Sequence, residues 1–576
     1  MATYSILITF FCAFQSQPLV ESEEGVHFVD TGFEKSFFYI ETPEAFQSKA
    51  WRLHKNEVDK EGFPVAPLSG YQFFNRLVVE SDSRTNLVRL ISEFSDAHLE
   101  ELETPGFYLI HVNTVLEAIS LYSVLALQLE KGKVYLDVKR PLSFRSIPSD
   151  PELDQQWHLI NALDGNHDVN VEGAWSAGIT GNGVVIGIVD AGVEIAHPDL
   201  IGGYNAQGSQ IGGLSSHGTS CAGVAVATAN NGQGGAGIAY GAEWSKLYIG
   251  TSSEIADAFG HRNNINDIKS NSWGPIDDGR IAYMSTLESS ALANAINVGR
   301  SGLGEIFVFA AGNGGTSDRT DYDSYASSRY TIAVGAIGDN DTRAPYNEQG
   351  SSMLVVTQSS GNNRDIYTTT VGSSYTNSFG GTSSACPLAA GTIALMLEAN
   401  PNLTWRDVQA ILIESARKCD PNNANWTTSA AGYDLNINYG YGAIDAGSAV
   451  SLAATWLNLP PEILATSGQV MINQQIPDND LVGLNSVATI TEDFIVESVE
   501  LVLNVAHANI GDLWVRLTSP SGQHSVLAKV RDDFTDDYDN FLFTSMRHWG
   551  ESSQGDWIVE IHDGDGGIVG IWEDFK

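Results

Sequence analysis

Gly183-Val-Val-Ile-Gly-Ile-Val-Asp190 is a continuous apolar run that ends on a carboxylate. Apolar residues at successive positions predict a short strand buried on both faces, as in a parallel sheet that helices cover. Four later segments continue the pattern, two of them strand-like and two helical: Ile306–Ala311, Thr331–Ala336, Thr219–Thr228 and Pro387–Glu398. Strands that alternate with helices across Gly-rich turns predict an α/β fold with a mostly parallel sheet and helices on both faces over residues 146–455.

Three chemically reactive residues stand at turns of this predicted fold. Catalytic groups on such sheets lie at the carboxyl ends of strands, where Asp190 stands, and His217 and Ser383 each lie just ahead of an apolar helix. Amide hydrolysis needs a hydroxyl activated by a neutral imidazole, and that imidazole needs a carboxylate to fix its tautomer. Each local string is a weak motif alone, but together they predict Ser383 as nucleophile, His217 as general base and Asp190 as orienting acid.

Asn313 follows the predicted buried strand that ends in Phe309-Ala-Ala-Gly. Its side-chain amide and the backbone N–H of Ser383 would form an oxyanion hole for the reacting carbonyl oxygen. A helix start at Ser383 adds a favourable field for that negative charge. In isolation a turn is the better interpretation of an Asn after Gly, whereas beside the other three residues we predict the oxyanion role.

The regions before and after the sheet have different patterns. Residues 23–145 mix strand-like runs with one helical stretch, Asn113–Leu127, and predict a small α+β unit that ends in a basic linker, Lys139–Arg145. After about residue 460 the helical pattern stops, and alternating runs such as Val499–Val505 predict an all-β sandwich or barrel over residues 460–576. Since the chain ends abruptly, the last strand of this region is predicted to be incomplete.

The charge of the chain limits the classes of partner. Its 576 residues include 70 acidic and 30 basic side chains, which give a formal net charge of −40. Such a field repels phosphate backbones and anionic membranes, so nucleic acid is not expected as a partner. Cationic peptides and divalent cations suit this field, and a solubility adaptation to salty surroundings explains the bulk charge about equally well.

A short apolar run at Ile6–Phe14 is too brief to span a bilayer and suits the core of a signal peptide over residues 1–22. No Lys or Arg precedes it, so a mis-called start codon and a buried strand are alternatives. We expect a secreted, periplasmic or cell-envelope protein without a membrane span. Of the four cysteines, Cys12 would leave with the signal peptide, and the remaining three form no disulfide framework: Cys221, Cys386 and Cys419. The first two of these flank catalytic residues and are interpreted as small buried side chains.

Longer strings around these residues resemble the three signatures of the subtilases, the subtilisin-like serine proteases: Val189–Leu200, His217–Gly223 and Gly381–Pro387. Ser272-Trp-Gly-Pro-Ile-Asp-Asp-Gly279 is similar to a string of the kexin and furin branch of that family. Strings between Val499 and Trp557 resemble the P domain of the same branch, which is a β-sandwich. The resemblance spans residue 149 to the end of the chain and implies a serine endopeptidase with the four catalytic roles given above.

The resemblance also implies structural calcium. Asp150 and Asp199 match two acids of one calcium site, and a following loop supplies further ligands: Thr228, Asn231, Gln233 and Gly235. Carboxylates, backbone carbonyls and an Asn side chain are the hard oxygen ligands that calcium favours. Alternatively, Asp199 only caps a turn and Asn231–Gly232 forms another. Three more acids match a second calcium site: Asp277, Asp318 and Glu348.

Substrate specificity is implied by acids that match the pocket for the residue before the scissile bond. Asp277, Asp323 and Trp273 match substrate-binding positions, and Asp318 and Glu348 lie beside them at the second calcium site. Converging carboxylates repel one another unless calcium and a substrate cation offset them. We therefore expect cleavage after Arg or Lys, with Arg preferred for its bidentate geometry.

The adjoining pocket departs from the relatives that cut after dibasic pairs. Ala191 stands where they carry a second Asp after the catalytic one, and Ser215–Ser216 adds no acid. Gly260 and Tyr283 replace acids of a more distant pocket. We therefore predict weak selection beyond the first basic residue. The alternatives are a degradative subtilase of broad specificity and a non-catalytic surface or adhesion protein that uses its β-domain.

Position and pattern predict that residues 23–145 are an inhibitory pro-region, in preference to an unrelated binding module. Its removal is expected after Arg145, because Ser146 accepts cleavage more readily than Pro141. The expected partners of this monomer are proteins or peptides with basic residues and its own pro-region. Activity is expected to rise with pH through about 6.5 to 7 as His217 becomes neutral.

Overall fold

The structure, a computed structural model, describes residues 147–161 and 167–576 without a break, and ten shorter segments before them: 26–30, 35–40, 51–58, 64–81, 84–92, 94, 97–102, 105–113, 115–129 and 134–139. The chain divides into two compact units, Met1–Ser143 and Phe144–Lys576. The expected signal peptide with Cys12 and the expected processing point at Arg145 lie outside the described residues. Among the residues that are described, no helix is both long enough and apolar enough to cross a membrane.

The first unit is an antiparallel sheet with two helices. Its described strands are β1 (Val26–Asp30), β2 (Lys35–Ile40), β3 (Trp51–Val58), β4 (Pro64–Glu80), β5 (His98–Glu101), β6 (Phe107–His111) and β7 (Val134–Lys139), and its helices are α1 (Arg84–Ile91) and α2 (Val115–Gln128). The strands pair in the order β1-β2-β3-β4-β6-β5, with β7 also on β4. Ala118, Leu121 and Leu125 of α2 share a buried core with Leu77 and Val79 of β4.

The second unit contains the predicted parallel sheet. Its strands are β8 (Val185–Asp190), β9 (Glu243–Tyr248), β10 (Ile268–Asn271), β11 (Ile306–Ala310), β12 (Thr331–Ile337) and β13 (Met353–Gln358). They lie in the order β13-β12-β11-β10-β8-β9, and every neighbouring pair is parallel. Strands β10 to β13 are buried along their whole length; apolar residues dominate β11, β12 and β13, whereas β10 buries the polar residues Lys269, Ser270 and Asn271.

Helices cover this sheet on both sides, and two short hairpins accompany it. The helices are α3 (Glu172–Ser176), α4 (Ser216–Val226), α5 (Ser252–Gly260), α6 (Thr286–Val298), α7 (Thr382–Ala399), α8 (Trp405–Ser415) and α9 (Ala446–Ala453). The hairpins pair β14 (Ile366–Thr370) with β15 (Ser374–Phe379) and β16 (Thr427–Thr428) with β17 (Asp434–Leu435). Helix α7 packs on β10 to β13 and buries every residue from Ala385 to Leu397.

The carboxyl-terminal part of the second unit is the predicted β-sandwich. Its strands are β18 (Val470–Gln475), β19 (Asp480–Ile490), β20 (Val499–Ala506), β21 (Leu513–Thr518), β22 (His524–Ala528), β23 (Tyr538–Ser545), β24 (Gly555–Asp563) and β25 (Ile571–Phe575). They form two antiparallel sheets, β18-β25-β20-β23 and β19-β24-β21-β22. Ile281 and Tyr322 of the α/β part join the buried core of the sandwich, so the two parts share an apolar contact.

Helices α4 and α7 begin earlier than the sequence predicted, so His217 and Ser383 lie in their first turns and not just ahead of them. The side chain of Ser215 caps α4 by accepting a backbone N–H bond at 3.3 Å. In α7, Pro387 has no N–H to donate to the Ser383 carbonyl oxygen four residues earlier. Ser272 Oγ donates to that oxygen instead, at 3.0 Å, which is why the helix tolerates an internal proline.

Candidate active site

Asp190 and His217 form a hydrogen-bonded pair at the carboxyl end of the parallel sheet. Asp190 closes β8 and is buried, and its Oδ2 lies 2.6 Å from His217 Nδ1. The other carboxylate oxygen accepts from the backbone N–H of Ala191 at 2.8 Å, so the chain itself orients the acid. With Nδ1–H donating to Asp190, the lone pair of Nε2 faces away from the acid, which is the tautomer that a general base needs.

Cys221 lies one helical turn beyond His217 and touches two of the predicted catalytic residues. Its sulfur is 3.9 Å from His217 Nδ1 and 3.5 Å from the Ser383 carbonyl oxygen. The Cys221 sulfur and the Asp190 carboxylate raise the pKa of His217 above its ordinary value of 6.5, although burial acts in the opposite direction. Cys221 and Cys386 are both buried and unpaired, which confirms that they are small buried side chains.

Ser383 stands in the first turn of α7, against the end of β10. Its Oγ donates to the Ser272 carbonyl oxygen at 3.3 Å, and its own carbonyl accepts from Ser272 Oγ. The Phe379 ring lies edge-on to His217, with centroids 5.8 Å apart. Transfer of the Ser383 proton to His217 requires Oγ to give up its hydrogen bond to the Ser272 carbonyl oxygen and to turn toward the imidazole.

Asn313 follows β11 and lines the same cleft as Ser383. Its Oδ1 accepts two hydrogen bonds from Thr382, one from the backbone N–H at 2.8 Å and one from Oγ1 at 3.1 Å. These bonds fix the carbonyl end of the amide against the start of α7 and turn its NH2 group away from that helix. A fixed side-chain donor in the cleft of the serine is what an oxyanion hole requires, and the role itself stays a prediction.

The cleft continues into a pocket with an acidic wall. Four carboxylates line it: Asp277, Asp318, Asp323 and Glu348. Oxygens of Asp277, Asp318 and Glu348 lie within 4.8 Å of one another. Burial and the neighbouring carboxylates raise the pKa of Asp318 to about 6, that of Asp323 to about 7 and that of Glu348 to about 9. The group therefore carries a mutual repulsion that a bound cation would relieve.

Backbone N–H groups hold these acids in place. Asp277 Oδ2 accepts from the Asn313 N–H at 3.0 Å, and Asp318 Oδ2 accepts from the Gly279 N–H at 2.9 Å. Gly279 has a φ of +81°, and a Cβ at this position would lie 2.7 Å from a backbone carbonyl oxygen, so the turn requires glycine. The acids are thus oriented by main-chain donors from two separate loops.

Trp273 forms an apolar side of the same pocket. Its indole packs against Phe309 and Tyr325, with ring centroids 5.5 and 5.1 Å apart. A long basic side chain has an apolar stem and a charged head, and this pocket offers a surface for each. Trp273 therefore lines the same pocket as the acids, and its part in substrate binding stays a prediction.

The second predicted calcium site coincides with part of the acidic wall. Asp277, Asp318 and Glu348 converge on one point with carboxylate oxygens alone, and calcium takes about six to eight such oxygens. Because the pKa values of Asp318 and Glu348 are raised, their negative charge is incompletely compensated by the protein. These residues fit a hard divalent cation.

The first predicted calcium site is assembled around the loop 228–235. Asp150 Oδ1 accepts from the Asn231 N–H at 3.0 Å, and the Asn231 amide contacts Asp199 Oδ1 at 2.7 Å. Asp199 is buried, and burial raises the pKa of its carboxyl although the Asn231 amide and the Tyr375 hydroxyl oppose the rise, so its negative charge is incompletely compensated by the protein. The donor set fits calcium, and the remaining ligands stay a prediction: Thr228, Gln233 and Gly235.

A further grouping in the β-sandwich does not fit a metal. His507, Asp512 and Asp563 bring three side-chain atoms within 4.8 Å. His507 Nδ1 accepts from the Asn509 N–H at 3.1 Å, so the ring proton is on Nε2, which lies 3.4 Å from Asp563 Oδ2. A neutral imidazole in this tautomer offers Asp563 a donor and has no second lone pair for a metal ion. The grouping is a buried hydrogen-bonded pair with a nearby acid.

The positions predicted for the adjoining and the more distant substrate pockets carry no acidic side chain: Ala191, Ser215, Ser216, Gly260 and Tyr283. Ala191 is exposed after β8, Ser215 caps the helix of His217, and Ser216 begins that helix. Gly260 ends α5, and the Tyr283 ring lies against the sandwich with its centroid 5.1 Å from that of a phenylalanine. Relaxed selection at these positions stays a prediction.

Sequence reasoning missed two residues that bear on the site. Ser272 binds Ser383 through both its hydroxyl and its carbonyl, and its place directly after β10 could have identified it. Arg531 of the β-sandwich reaches the loop of Gly279, with Nε donating to the Gly279 carbonyl at 2.7 Å. No local pattern marks Arg531, because its partner lies 252 residues away in the chain.

Comparison with known proteins places these features in families. A model described as the Subtilase family matches residues 181–442, and one described as the Proprotein convertase P-domain matches residues 496–576. The chain is 33% identical to kexin of Saccharomyces cerevisiae, over 96% of this chain and 70% of kexin. It is 36% identical to a PC3-like endoprotease, variant B, of Hydra vulgaris, over 75% of this chain and 66% of that protein. It is also 36% identical to furin of Rattus norvegicus, over 72% of this chain and 56% of furin.

The fold is similar to that of a solved structure, the Aeromonas sobria serine protease in complex with its chaperone. The TM-score is 0.67 at 23% identity, over 74% of this chain and 94% of the other. At that identity the likeness shows the fold alone. The chain spans less than two thirds of the length of the Hydra and rat relatives.

Proposed function

The chain belongs to the subtilase family of serine proteases, in its kexin and furin branch, and from that premise we propose that it is a serine endopeptidase that cleaves after a basic residue. The observation that carries this proposal is the acidic wall of the pocket beside Ser383. A substrate Arg or Lys would meet several carboxylates in a partly buried site, where salt screens charges little. Arg is preferred because its planar fork binds two carboxylate oxygens at once.

The proposed reaction passes through an acyl-enzyme. Ser383 Oγ attacks the scissile carbonyl carbon while its proton passes to His217 Nε2, and Asp190 stabilises the resulting imidazolium across the 2.6 Å contact. The Asn313 side chain and the Ser383 backbone N–H hold the negative charge on the carbonyl oxygen. His217 then gives the proton to the leaving amine as the C–N bond breaks. Water hydrolyses the ester by the same proton exchange and restores Ser383.

We also propose that calcium occupies two sites. The first is formed by Asp150, Asp199 and the loop 228–235, and the second by the converging acids of the pocket wall. Bound calcium would supply positive charge that offsets the buried carboxylates and would hold the loops that carry them. The buried Asp199 carboxyl, whose pKa burial raises, supports the first site, and the raised pKa values of the wall acids support the second.

The remaining elements of the proposal concern substrate range and maturation. Ala191 beside the catalytic acid supports selection for one basic residue and not for a pair. The position of residues 23–145 ahead of the subtilase match supports an inhibitory pro-region, cleaved after Arg145. We propose a secreted or cell-envelope enzyme that acts as a monomer. The amino-terminal sequence of the purified enzyme tests the cleavage point, and fractionation of producing cells tests the location.

A panel of peptides that differ only in the residue before the scissile bond tests the proposed specificity. We expect kcat/KM for Arg to exceed that for Leu by about a hundredfold, because a desolvated carboxylate wall discriminates against an uncharged side chain. A calcium chelator should abolish the cleavage. Equal rates for Arg and Leu would favour a degradative enzyme of broad specificity. Failure of a phosphonate to label Ser383 in well-folded protein would contradict a protease altogether and favour a surface or adhesion protein.

A further inference from the structure

Arg531 of the β-sandwich contacts a residue that lines the acidic pocket, from outside the α/β part. It lies in the loop between β22 and β23, and the exposed fraction of its side chain is 6%. Besides the bond to the Gly279 carbonyl, its guanidinium carbon lies 4.1 Å from the centre of the Tyr322 ring. Tyr322 itself lines the pocket. Arg531 therefore contacts Tyr322, which lines the pocket, and the turn at Gly279, which directly follows the segment of the wall acid Asp277.

Gly279 links that contact to a pocket acid. Its carbonyl accepts from Arg531 at 2.7 Å, and its N–H donates to Asp318 Oδ2 at 2.9 Å. Its φ of +81° leaves glycine as the residue that fits this turn without strain. A turn that is bonded on both of its peptide groups has a fixed orientation, so the donor aimed at Asp318 depends on the bond to Arg531.

A second contact holds the loop that carries Asp323. Asp533, buried in the sandwich, accepts from Arg531 at 2.7 Å and from the Ile281 N–H at 3.3 Å. The Tyr322 hydroxyl accepts a backbone N–H bond from the same sandwich loop at 3.0 Å. Asp323, a pocket acid, directly follows Tyr322 in the chain. The sandwich loop thus contacts two of the segments that supply the pocket wall.

A guanidinium is suited to this place. A buried cation needs several partners at once, and Arg531 bonds a carboxylate and a backbone carbonyl with different nitrogens while its face covers an aromatic ring. A lysine ammonium could pair with Asp533, but its single nitrogen cannot also reach Gly279 in the same geometry.

We propose that Arg531 is a positioning residue of the substrate pocket, which orients Asp318 through Gly279 and Asp323 through Tyr322 for the basic side chain of the substrate. This inference rests on the proposed function. Arg531 touches no reacting atom. It makes the β-sandwich part of the specificity of the enzyme as well as a support for its fold.

The test compares full-length Arg531→Gln and Arg531→Lys with wild type on two peptides, alike except for Arg or Leu before the scissile bond. With calcium in excess, we expect Arg531→Gln to raise KM for the Arg peptide about tenfold, with little change in kcat and none for the Leu peptide. The KM of Arg531→Lys for the Arg peptide should lie between those of wild type and Arg531→Gln. Arg516→Gln is the matched control, because Arg516 pairs with Glu560 on the surface of the same sandwich at 2.6 Å.

Three results would overturn the inference, and a fourth would overturn the proposed function on which it rests. Unchanged KM and kcat for both peptides in Arg531→Gln would show that the pocket does not depend on Arg531. An equal loss of activity on both peptides would show a general structural role for Arg531, and failure of both Arg531 variants to fold would show the same. If only Arg531→Gln fails to fold, the comparison of the two peptides is made with Arg531→Lys. A wild-type enzyme that does not prefer the Arg peptide would contradict the proposed function itself, which separates the two failures.

Discussion

The backbone N–H of Asn313 donates a hydrogen bond to the Asp277 carboxylate over 3.0 Å. The same residue presents its side-chain amide to the cleft of Ser383, with its Oδ1 fixed by Thr382. Asn313 therefore joins the group proposed to stabilise the oxyanion, which is its own side chain, to the acid proposed to bind the substrate cation. Binding of a basic side chain at Asp277 would help to hold Asn313 in its reactive position.

Asp277→Asn should lower kcat/KM for an Arg peptide by about ten- to a hundredfold, because the pocket loses a charged acceptor. It should also lower kcat, because a neutral amide holds the Asn313 N–H less firmly. Asp278→Asn is the control, since Asp278 is an exposed neighbour. Separate measurement of kcat and KM checks the prediction, and a rise of KM at unchanged kcat would show that the two sites are independent.

Removal of the catalytic groups should have effects of different size. We expect Ser383→Ala to lower turnover by about a millionfold, and Asn313→Ala by roughly a hundred- to a thousandfold, since the second variant keeps nucleophile and base. Asn340→Ala changes an exposed Asn in a remote turn and serves as control. Turnover of the Arg peptide measures both losses. An Asn313→Ala enzyme as active as wild type would show that Asn313 is a turn residue and not an oxyanion donor.

The acid limb of the pH profile of kcat/KM should lie at higher pH than the range of about 6.5 to 7 expected from the sequence. His217 acts as a base when neutral, so activity is lost as pH falls through its pKa, which Cys221 and Asp190 raise above 6.5. Cys221→Ala removes the first of these influences and should move the midpoint of kcat/KM to lower pH. Cys419→Ala, a buried thiol elsewhere in the fold, should leave it unchanged. Coincident profiles of Cys221→Ala and wild type would refute this coupling.

Removal of calcium should make stability fall as pH rises. The pKa values of Asp318, Asp323 and Glu348 are raised to about 6, 7 and 9, from ordinary values of 3.8 for Asp and 4.5 for Glu. A folded pKa above the unfolded one favours the protonated folded state, and this stability is lost as pH rises through the folded value. In chelator, Tm should therefore decrease from about pH 4, where these acids ionise in the unfolded chain, up to about pH 9, and excess calcium should suppress the decrease.

Two variants test the source of that pH dependence. Glu348→Gln cannot ionise, so its metal-free form should lose less Tm at alkaline pH than wild type. Glu560→Gln alters a surface carboxylate paired with Arg516 and should behave as wild type. Thermal unfolding followed by circular dichroism over this range measures both. A flat metal-free profile for wild type would contradict the proposed repulsion.

Ala191→Asp should restore selection at the second substrate position. An acid beside the exposed end of β8 would attract a second basic residue with a partly screened charge interaction, so the rate ratio of Lys-Arg to Ala-Arg peptides should rise about fivefold. Ala191→Asn adds similar volume without charge and should leave the ratio near that of wild type. An unchanged ratio in Ala191→Asp would place the second pocket elsewhere.

Local patterns predicted the fold well where burial follows a regular period. The run that ends at Asp190 was predicted as a buried strand because helices cover the parallel sheet on both faces. The alternation along Val499–Ala506 predicted a sandwich strand with one buried face. The start of α7 was misplaced because proline normally opens a helix, whereas here Ser272 satisfies the carbonyl that Pro387 leaves without a partner.

The sequence by itself determined which reactive residues stand at the ends of strands and the starts of helices, because those positions depend on local burial and turn chemistry. The tertiary structure alone decided what each residue touches: Cys221 against His217, Ser272 on Ser383, and Arg531 on a glycine 252 residues earlier. Such contacts depend on how distant segments pack, and no local period encodes that packing. The acids of the pocket could be identified one by one in the sequence, but their mutual repulsion and their link to the β-sandwich arise only when the folded chain brings them together.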